Sequence, residues 1–359
     1  MYERLLPNLA AVFTRRAIAS LGLGALMSLG VAATLGSTPV RAQAPEQTSI
    51  EIWAVRDPQE AAVIALAKEL DYYKAEGLDV TIKWIVSGTD MASLVASGDI
   101  NFAGESVTTS AILRDKGIDI RYVMPTANIG GTQCIVLGPN TTLSSPKDLE
   151  GKKIGMAAGS GVAIAIRNMA AQYGVDYTKI TFVNLQPPDQ APALARGDID
   201  AMAVWQPWAL AGMSLGGKLF FTGNKSYIEG SEKPVNWMYL DAGLNVPAAY
   251  LAKNPNTVKA VMRALLKAID YINKNPVEQS AKLLASPLNV PLADLVPIMK
   301  QNIYSASIDD NIVKGATELL TYGADPKIGW FSKPYAPKEL WDLTLLKELA
   351  PDQVKAGGF

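Results

Sequence analysis

Residues 90–101 of this chain read DMASLVASGDIN, and residues 189–200 read DQAPALARGDID. Six of the twelve positions are identical, and two further positions pair Val with Leu and Asn with Asp. A segment that occurs twice predicts two similar substructures within one fold. Chance agreement between Ala- and Gly-rich helix ends is the alternative explanation, and the sequence around each copy argues against it.

Each copy has the features of a short helix between two strands. Asp90 and Asp189 stand where an N-cap is expected, because an Asp side chain accepts hydrogen bonds from the free N–H groups of a first turn. Gly98 and Gly197 stand where a helix ends in a residue with positive φ. Apolar stretches before and after each copy predict strands, so each copy is expected to form a parallel βαβ unit with a right-handed crossover.

The βαβ geometry predicts where a ligand binds. In such a unit the helix begins at the carboxyl end of the preceding strand, and open α/β sheets bind ligands along that edge. Helix N-termini also favour anionic parts of a ligand. Two such edges that face each other enclose a cleft. The residues placed at these edges are 87–90, 104–106, 186–189 and 205–208.

The remaining pattern predicts two lobes joined by two crossovers. Hydrophobic periodicity favours a first strand at 49–55 and helices at 59–76, 162–173 and 254–274. The segment 128–132 contains a Gly pair and is expected to be the first crossover, and the second follows before 237–250. We therefore predict lobe I from residues 45–131 and 236–359, and lobe II from residues 132–235.

The N-terminus has the plan of an export signal. Basic residues precede the apolar run 17–36, and small residues follow, so residues 1–44 are predicted to be a signal peptide. Cleavage after Ala42 and cleavage two residues later remain open. The Arg15-Arg16 pair resembles a twin-arginine signal without its full consensus, so both the Sec and the twin-arginine route remain open. A retained membrane anchor is disfavoured because the run is Gly-rich and no comparable run follows.

Composition excludes several function classes. Removing the first 44 residues, which carry four basic side chains and one acidic, leaves a net charge of about −4, so there is no basic surplus for nucleic acid. The chain has no histidine, which excludes a Ser-His-Asp triad and an imidazole metal ligand. The only cysteine, Cys134, lies in an apolar run and is expected to be buried in a strand. We predict no cofactor and no metal.

Several motifs together resemble one family. The stretches 183–189, 195–201 and 204–208 read VNLQPPD, ARGDIDA and VWQPW. With residues 148–155 (DLEGKKIG) and 246–255, they resemble the nitrate/sulfonate/taurine group of ABC-transporter substrate-binding proteins, which includes thiamine-precursor-like members. The match runs in order over about residues 49–280, and the taurine-binding branch is the most similar.

The resemblance implies an α/β protein with the two-lobed periplasmic-binding-protein fold of type II. Each lobe would be a mixed sheet flanked by helices, with the ligand cleft between the lobes. It further implies a periplasmic, monomeric receptor that closes by a hinge on a small organic solute, sulfonate- or taurine-like or related, and delivers it to an ABC permease. Two departures argue against a simple sulfonate or nitrate ligand. Glu105 begins a stretch where relatives carry Gly-Ser-[ST]-Pro, and residues 159–163 offer few hydroxyl groups.

The candidate ligand contacts come from the predicted cleft edges. Glu105 is a candidate partner for an amine, with an exposed strand-end charge as the alternative. Arg56 is a candidate anion partner, with an ion pair to a nearby carboxylate as the alternative. Trp205 and Trp208 are either cleft or core aromatics. The full candidate set is Arg56, Ser87, Glu105, Ser106, Thr108, Ser160, Gln186, Trp205, Gln206 and Trp208.

The most economical hypothesis is therefore a solute-binding receptor that performs no chemistry. One alternative is an enzyme on the same fold, with pyrimidine-precursor or chorismate-type chemistry; the resemblance implies that the former needs a histidine. Another alternative is a solute-binding partner of a sensor, which differs only in what the closed lobes contact.

Overall fold

The computed structural model describes residues 43–359 except Ser97, Asp99 and Lys327. The predicted signal peptide therefore lies outside the described residues, apart from its last two positions. Residues 43–359 form one compact unit. In the described part of the chain, no helix combines the length and the apolar character needed to cross a membrane.

Two mixed sheets organise this unit. The strands are β1 (Ser49–Val55), β2 (Asp79–Ile85), β3 (Ala103–Glu105), β4 (Ile120–Asn128), β5 (Gln133–Leu137), β6 (Lys153–Met156), β7 (Thr181–Asn184), β8 (Ala201–Trp205), β9 (Lys218–Thr222), β10 (Lys225–Ser226), β11 (Lys233–Pro234), β12 (Asp241–Pro247) and β13 (Ile303–Tyr304). The first sheet has the order β13-β4-β12-β3-β1-β2, and the second has the order β11-β10-β9-β5-β8-β6-β7.

Helices flank both sheets. They are α1 (Ala62–Glu69), α2 (Tyr72–Ala75), α3 (Met91–Ala96), α4 (Val107–Asp115), α5 (Val162–Tyr173), α6 (Pro187–Arg196), α7 (Trp208–Ser214), α8 (Ala248–Lys253), α9 (Pro255–Lys274), α10 (Val277–Leu288), α11 (Leu292–Met299), α12 (Asp310–Gly323), α13 (Pro337–Leu340) and α14 (Thr344–Leu349). The apolar face of α9 is buried, including Val258, Val261 and Leu265. This burial explains why the amphipathic pattern predicts the helix to within one residue.

The duplicated segment forms the same topology twice. In the first sheet β2 leads through α3 to β3, and both strands pair in parallel with β1 between them. In the second sheet β7 leads through α6 to β8, and both pair in parallel with β6 between them. In each sheet the next strand is antiparallel: β12 beside β3, and β5 beside β8. The predicted repeat of a parallel βαβ unit is therefore confirmed.

Two expected helix boundaries are wrong. Helix α6 begins at Pro187 and is capped at Gln186, so Asp189 lies inside the first turn and is not the N-cap. Two prolines suit the first helical positions, because their fixed φ is helical and the N–H groups there need no intrahelical partner. The helix expected at 59–76 is split into α1 and α2, because Asp71 takes a left-handed conformation with φ of 54°.

The chain crosses between the sheets through two segments that contact each other. The first crossover connects β4 to β5, and the second connects β11 to β12. Ile129 N donates to Leu240 O at 2.8 Å. Gly223, which follows β9 and lies outside both crossovers, donates through its N–H to Gly130 O at 3.1 Å. A Cβ on Gly130 would lie 2.7 Å from Met238 O, so the close approach of the two segments requires glycine there.

Candidate ligand-binding cleft

A cavity of about 150 Å³ lies where segments of the two sheets come together. This volume matches that of an engineered cavity that accepts benzene, and is therefore sized for a small organic molecule. The first sheet contributes the loop after β1 and the end of β3 with the start of α4. The second contributes the start of β5, the loop before α5 and the end of β8. Three of the four predicted edge segments, 87–90, 104–106 and 205–208, contribute to this wall, and residues 186–189 do not.

Five predicted contacts lie in the wall of this cavity. They are Glu105, Ser106, Thr108, Ser160 and Trp205. Trp205 is only 9% exposed, and its Nε1 is buried with no hydrogen-bond partner among the described residues. Thr108 is 6% exposed, and its hydroxyl likewise lacks a partner within the described part of the chain. Both groups are therefore available to a solute.

Glu105 is a buried wall residue rather than an exposed strand-end charge. It is 3% exposed at the end of β3, and its Oε2 accepts from Ser106 N at 3.3 Å and from the Thr109 hydroxyl at 3.2 Å. Its backbone carbonyl accepts from Asn245 Nδ2 at 2.8 Å. Adjacent strands and the start of α4 therefore fix the position of this carboxyl group.

Two further carboxyl groups line the same cavity, and our sequence analysis missed both. Asp57 is 2% exposed, and its Oδ1 accepts from the backbone N–H groups of Gln59 and Glu60 at 2.9 and 2.8 Å. Glu60 is half-buried as a residue, but its Oε2 is buried. The Arg56-Asp57-Pro58 stretch follows β1, and its position at the carboxyl end of that strand is the sequence signal for Asp57 as well as for the predicted Arg56.

Burial raises the pKa values of these carboxyl groups. Desolvation raises the pKa of Glu105 to about 7 and that of Asp57 to about 7. Desolvation, followed by the charges of Glu105 and Asp57, raises the pKa of Glu60 well above its usual value. The Glu60 and Glu105 carboxyl groups are within hydrogen-bonding reach of each other, so one proton between them relieves their repulsion.

No cationic side chain neutralises this group of carboxyls among the described residues. The ion pairs of the described chain leave out Asp57, Glu60 and Glu105. Lys116 also lines the cavity, as an exposed side chain. The buried wall of the cavity is therefore acidic and uncompensated.

The structure places the other five predicted contacts outside the cavity wall. Arg56 is exposed; its Nε donates to Pro287 O at 2.8 Å, and its guanidinium lies 5.7 Å from the Trp84 ring centre. It thus has a backbone carbonyl as partner, not the expected carboxylate. Trp208 is half-buried and packs against an apolar cluster of the second sheet. The remaining three are Ser87 and Gln206, which are buried, and Gln186, which is half-buried.

A buried polar bridge connects the two sheets beside the cavity. Gln59 Nε2 donates to Gln206 O at 2.8 Å, while its Oε1 accepts from the Thr132 hydroxyl at 2.6 Å and from Gln133 Nε2 at 2.5 Å. Gln59 follows β1, Thr132 and Gln133 stand at the start of β5, and Gln206 follows β8. Gln206 therefore contributes through its backbone to the junction between the sheets.

Metal binding finds no support in the described residues. They contain no group of three or more Asp, Glu, Cys or His side chains arranged to hold a metal ion. Cys134 is buried in β5, as expected, and burial raises its pKa to about 12.

Comparisons with known proteins agree with this architecture. The taurine-binding periplasmic protein of Escherichia coli (strain K12) is 26% identical over 255 residues, which cover 68% of this chain and 76% of that protein. The periplasmic aliphatic sulphonate binding protein SsuA from Escherichia coli superposes with a TM-score of 0.65 at 18% identity, covering 83% of this chain and 93% of that one. The periplasmic nitrate-binding protein NrtA from Synechocystis PCC 6803 gives a TM-score of 0.66 at 18% identity, covering 86% and 90%.

These neighbours and the two mixed sheets confirm the predicted fold class. The sequence pattern of the family described as NMT1/THI5 like matches residues 58–279, which is more than half of the chain. The predicted resemblance to this group of binding proteins is confirmed. The chain belongs to the NMT1/THI5-like family.

Proposed function

We propose that the protein is a solute-binding receptor of an ABC importer, and that it binds a small organic molecule between two lobes without chemical change. The observation that carries this proposal is the cavity of about 150 Å³ whose wall is built by both sheets. A taurine-binding periplasmic relative that matches 68% of the chain supports it.

We propose that lobe I consists of residues 45–131 and 236–359, and that lobe II consists of residues 132–235. Every strand of the first sheet falls in the first set and every strand of the second sheet falls in the other, among the described residues. The two hydrogen-bonded crossovers at Ile129–Gly130 and Leu240 form the hinge. Rotation about paired connecting segments is a common way for two lobes to close on a ligand.

The proposed solute contacts are the wall residues. Ser106 and Thr108 at the start of α4, with Ser160 before α5, offer hydroxyl groups from both lobes. Trp205 offers a ring and a free N–H group, and Glu105 offers a carboxyl oxygen. We propose that Arg56, Ser87, Gln186, Gln206 and Trp208 support the cleft from outside its wall.

The proposed setting is the periplasm. The chain would be exported by the Sec or twin-arginine route, lose its first 42 or 44 residues and act as a monomer that delivers its solute to an inner-membrane permease. It would need no cofactor and no metal, and would not bind nucleic acid.

The test is a thermal-shift screen of the purified mature protein against sulfonates, amines, pyrimidines and aromatic acids. We expect one class to raise the melting temperature in a concentration-dependent way, because a ligand that binds only the folded state stabilises it. The binding compound is then recovered and analysed by mass spectrometry, and we expect it unchanged. A chemically altered product would show an enzyme, and failure of every class to shift the transition would contradict the receptor.

A second experiment separates an importer from a sensor. The solute-loaded protein is used to pull down detergent-solubilised inner-membrane proteins. We expect recovery of an ABC permease. Recovery of a sensor receptor alone would contradict the importer assignment and leave solute binding intact.

A further inference from the structure

The buried side of the cavity combines three carboxyl groups with no cation to balance them. Asp57, Glu60 and Glu105 line one cavity, and none pairs with Lys or Arg in the described chain. Desolvation is the largest influence on all three, and the charges of Glu105, Asp57 and, from β12, Asp241 raise the pKa of Glu60 further. Burying unpaired charge is costly for the folded protein. Such an arrangement favours a ligand that supplies the missing positive charge.

This wall presents buried hydrogen-bonding atoms to the cavity. No N–H or hydroxyl group of the described residues reaches Glu105 Oε1 or Glu60 Oε2. The Trp205 Nε1 and Thr108 Oγ1 atoms are buried in the same wall and also lack partners within the described chain. Buried polar atoms in folded proteins nearly always have a partner. The Trp205 N–H, the Thr108 hydroxyl and the carboxyl oxygens that Glu60 and Glu105 do not use with each other can therefore pair with a solute.

We propose that the solute is recognised through a cationic nitrogen group with two or more N–H donors, an ammonium or amidinium, that binds against Glu60 and Glu105. This inference rests on the proposed receptor function and narrows its ligand class. The cationic group donates to Glu105 Oε1 and Glu60 Oε2, and Asp57 adds negative potential from the β1 loop. The apolar part of the solute packs against the Trp205 ring, and an acceptor on the solute takes the Trp205 N–H.

The same arrangement argues against recognition of an anion at this wall. A sulfonate or nitrate beside Glu60 and Glu105 would meet two carboxyl groups in a buried environment, where like charges repel strongly. A zwitterion is compatible with the wall when its cationic end faces the carboxyl groups. The exposed Lys116 and the hydroxyl of Ser160 are then the groups available to its anionic end.

The test is a charge series of ligands that match the cavity in size. Benzamidine, benzamide and benzenesulfonate share a ring and differ in charge, and taurine and ethanesulfonate differ by one ammonium. Affinities are measured by calorimetry at about pH 8, where Glu105 and Asp57 are mostly ionised. We expect benzamidine to bind at least about tenfold more tightly than benzamide and benzenesulfonate, and taurine to bind more tightly than ethanesulfonate.

Variants test whether Glu60 and Glu105 cause the preference for a cationic ligand. Glu105→Gln and Glu60→Gln each keep the size of the side chain and remove the carboxyl group that pairs with the cation, and we expect each to lose about tenfold or more in benzamidine affinity. Glu278→Gln, whose partner Lys300 lies at the surface, is the matched control and should bind like the wild type. If one cavity variant does not fold, the other variant and the wild-type charge series still test whether the cavity prefers a cation.

Each outcome has a distinct meaning. Tighter binding of benzenesulfonate and ethanesulfonate than of their cationic counterparts would overturn the inference and leave the receptor function standing. Unchanged benzamidine affinity in both cavity variants would also overturn it. Absence of binding by all five probes would overturn it as well, and the receptor function would then be decided by its own ligand screen.

Discussion

The carboxyl group of Glu105 occupies the space that a side chain at Gly88 would need. A Cβ built on Gly88 would lie 2.6 Å from Glu105 Oε2. Gly88 precedes α3 in the first copy of the repeat, and Glu105 ends the strand that follows that copy. The first βαβ unit therefore accommodates a buried carboxyl group by omitting a side chain at the start of its own helix.

Gly88→Ala should displace the Glu105 carboxyl and weaken its bonds to Ser106 and Thr109. We expect a loss of about 1–3 kcal/mol in the free energy of unfolding, because the displaced carboxyl group leaves buried hydrogen-bond partners unsatisfied. Urea denaturation measures it. Gly357→Ala is the control, because a Cβ there meets nothing within 4 Å. Equal stability of the two variants would show that Gly88 is not required for this packing.

The buried carboxyl groups predict that the unliganded protein becomes less stable as pH rises from about 5 to about 8. The pKa values of Asp57 and Glu105 are raised to about 7 in the folded state. The folded state then holds more protons than the unfolded state, so the stability present below the unfolded pKa is lost as pH rises through about 7. Urea denaturation at both pH values measures this change.

Surface carboxyl groups do not reverse this trend in the chosen window. Glu76 and Glu150 have lowered pKa values through their Lys and Arg partners or backbone hydrogen bonds. Their contribution to stability therefore changes only below the window from about pH 5 to 8.

Glu105→Gln should reduce the loss of stability between about pH 5 and 8 and should be more stable than the wild type at the higher pH. Identical pH profiles in both proteins would rule out an unpaired Glu105 charge.

The Gln59 bridge predicts a stability cost when it is removed. Gln59→Ala takes a donor from Gln206 O and an acceptor from Gln133, all in buried surroundings. We expect a loss of about 2–3 kcal/mol, because buried polar groups are left unsatisfied. Chemical denaturation gives the value. The exposed Gln279→Ala should change stability by less than about 0.5 kcal/mol, and a similarly small effect at Gln59 would count against the bridge.

Cys134 should be unreactive in the native protein. Its thiol is buried in β5, and desolvation raises its pKa to about 12, so little nucleophilic thiolate forms. Alkylation by iodoacetamide at neutral pH should be roughly 100-fold slower in the folded protein than in urea. Rapid native labelling would show that β5 opens or that the thiol reaches solvent.

The local sequence pattern predicts much of the fold. The strand at Ser49–Val55 and the helix at Val162–Tyr173 occur at the predicted bounds. The apolar pattern indicates both, and Gly161 and Gly174 mark the ends of the helix. The positive φ values of Gly98 and Gly197 also follow from local chemistry. The break at Asp71 was not predictable in the same way, because a left-handed aspartate has no unique sequence signal.

Fewer of the cavity residues could be predicted from the sequence. Glu105, Ser160 and Trp205 were found because strand ends and helix starts locate a cleft edge. Asp57 and Glu60 were missed because an acidic residue after a strand is usually solvated, and only the packing of distant segments shows that these are buried. The contacts of Gln59 with Thr132 and Gln206 join residues far apart in sequence, so no local pattern could reveal them.

A native mass spectrum shows whether both sheets enclose one small solute. The mature protein and its Ser160→Trp variant, which fills the cavity, are incubated with a small-molecule extract of bacterial cells and desalted. We expect a one-to-one small-molecule adduct on the wild type and none on the variant. A bare wild-type mass, or the same adduct on both proteins, would contradict it.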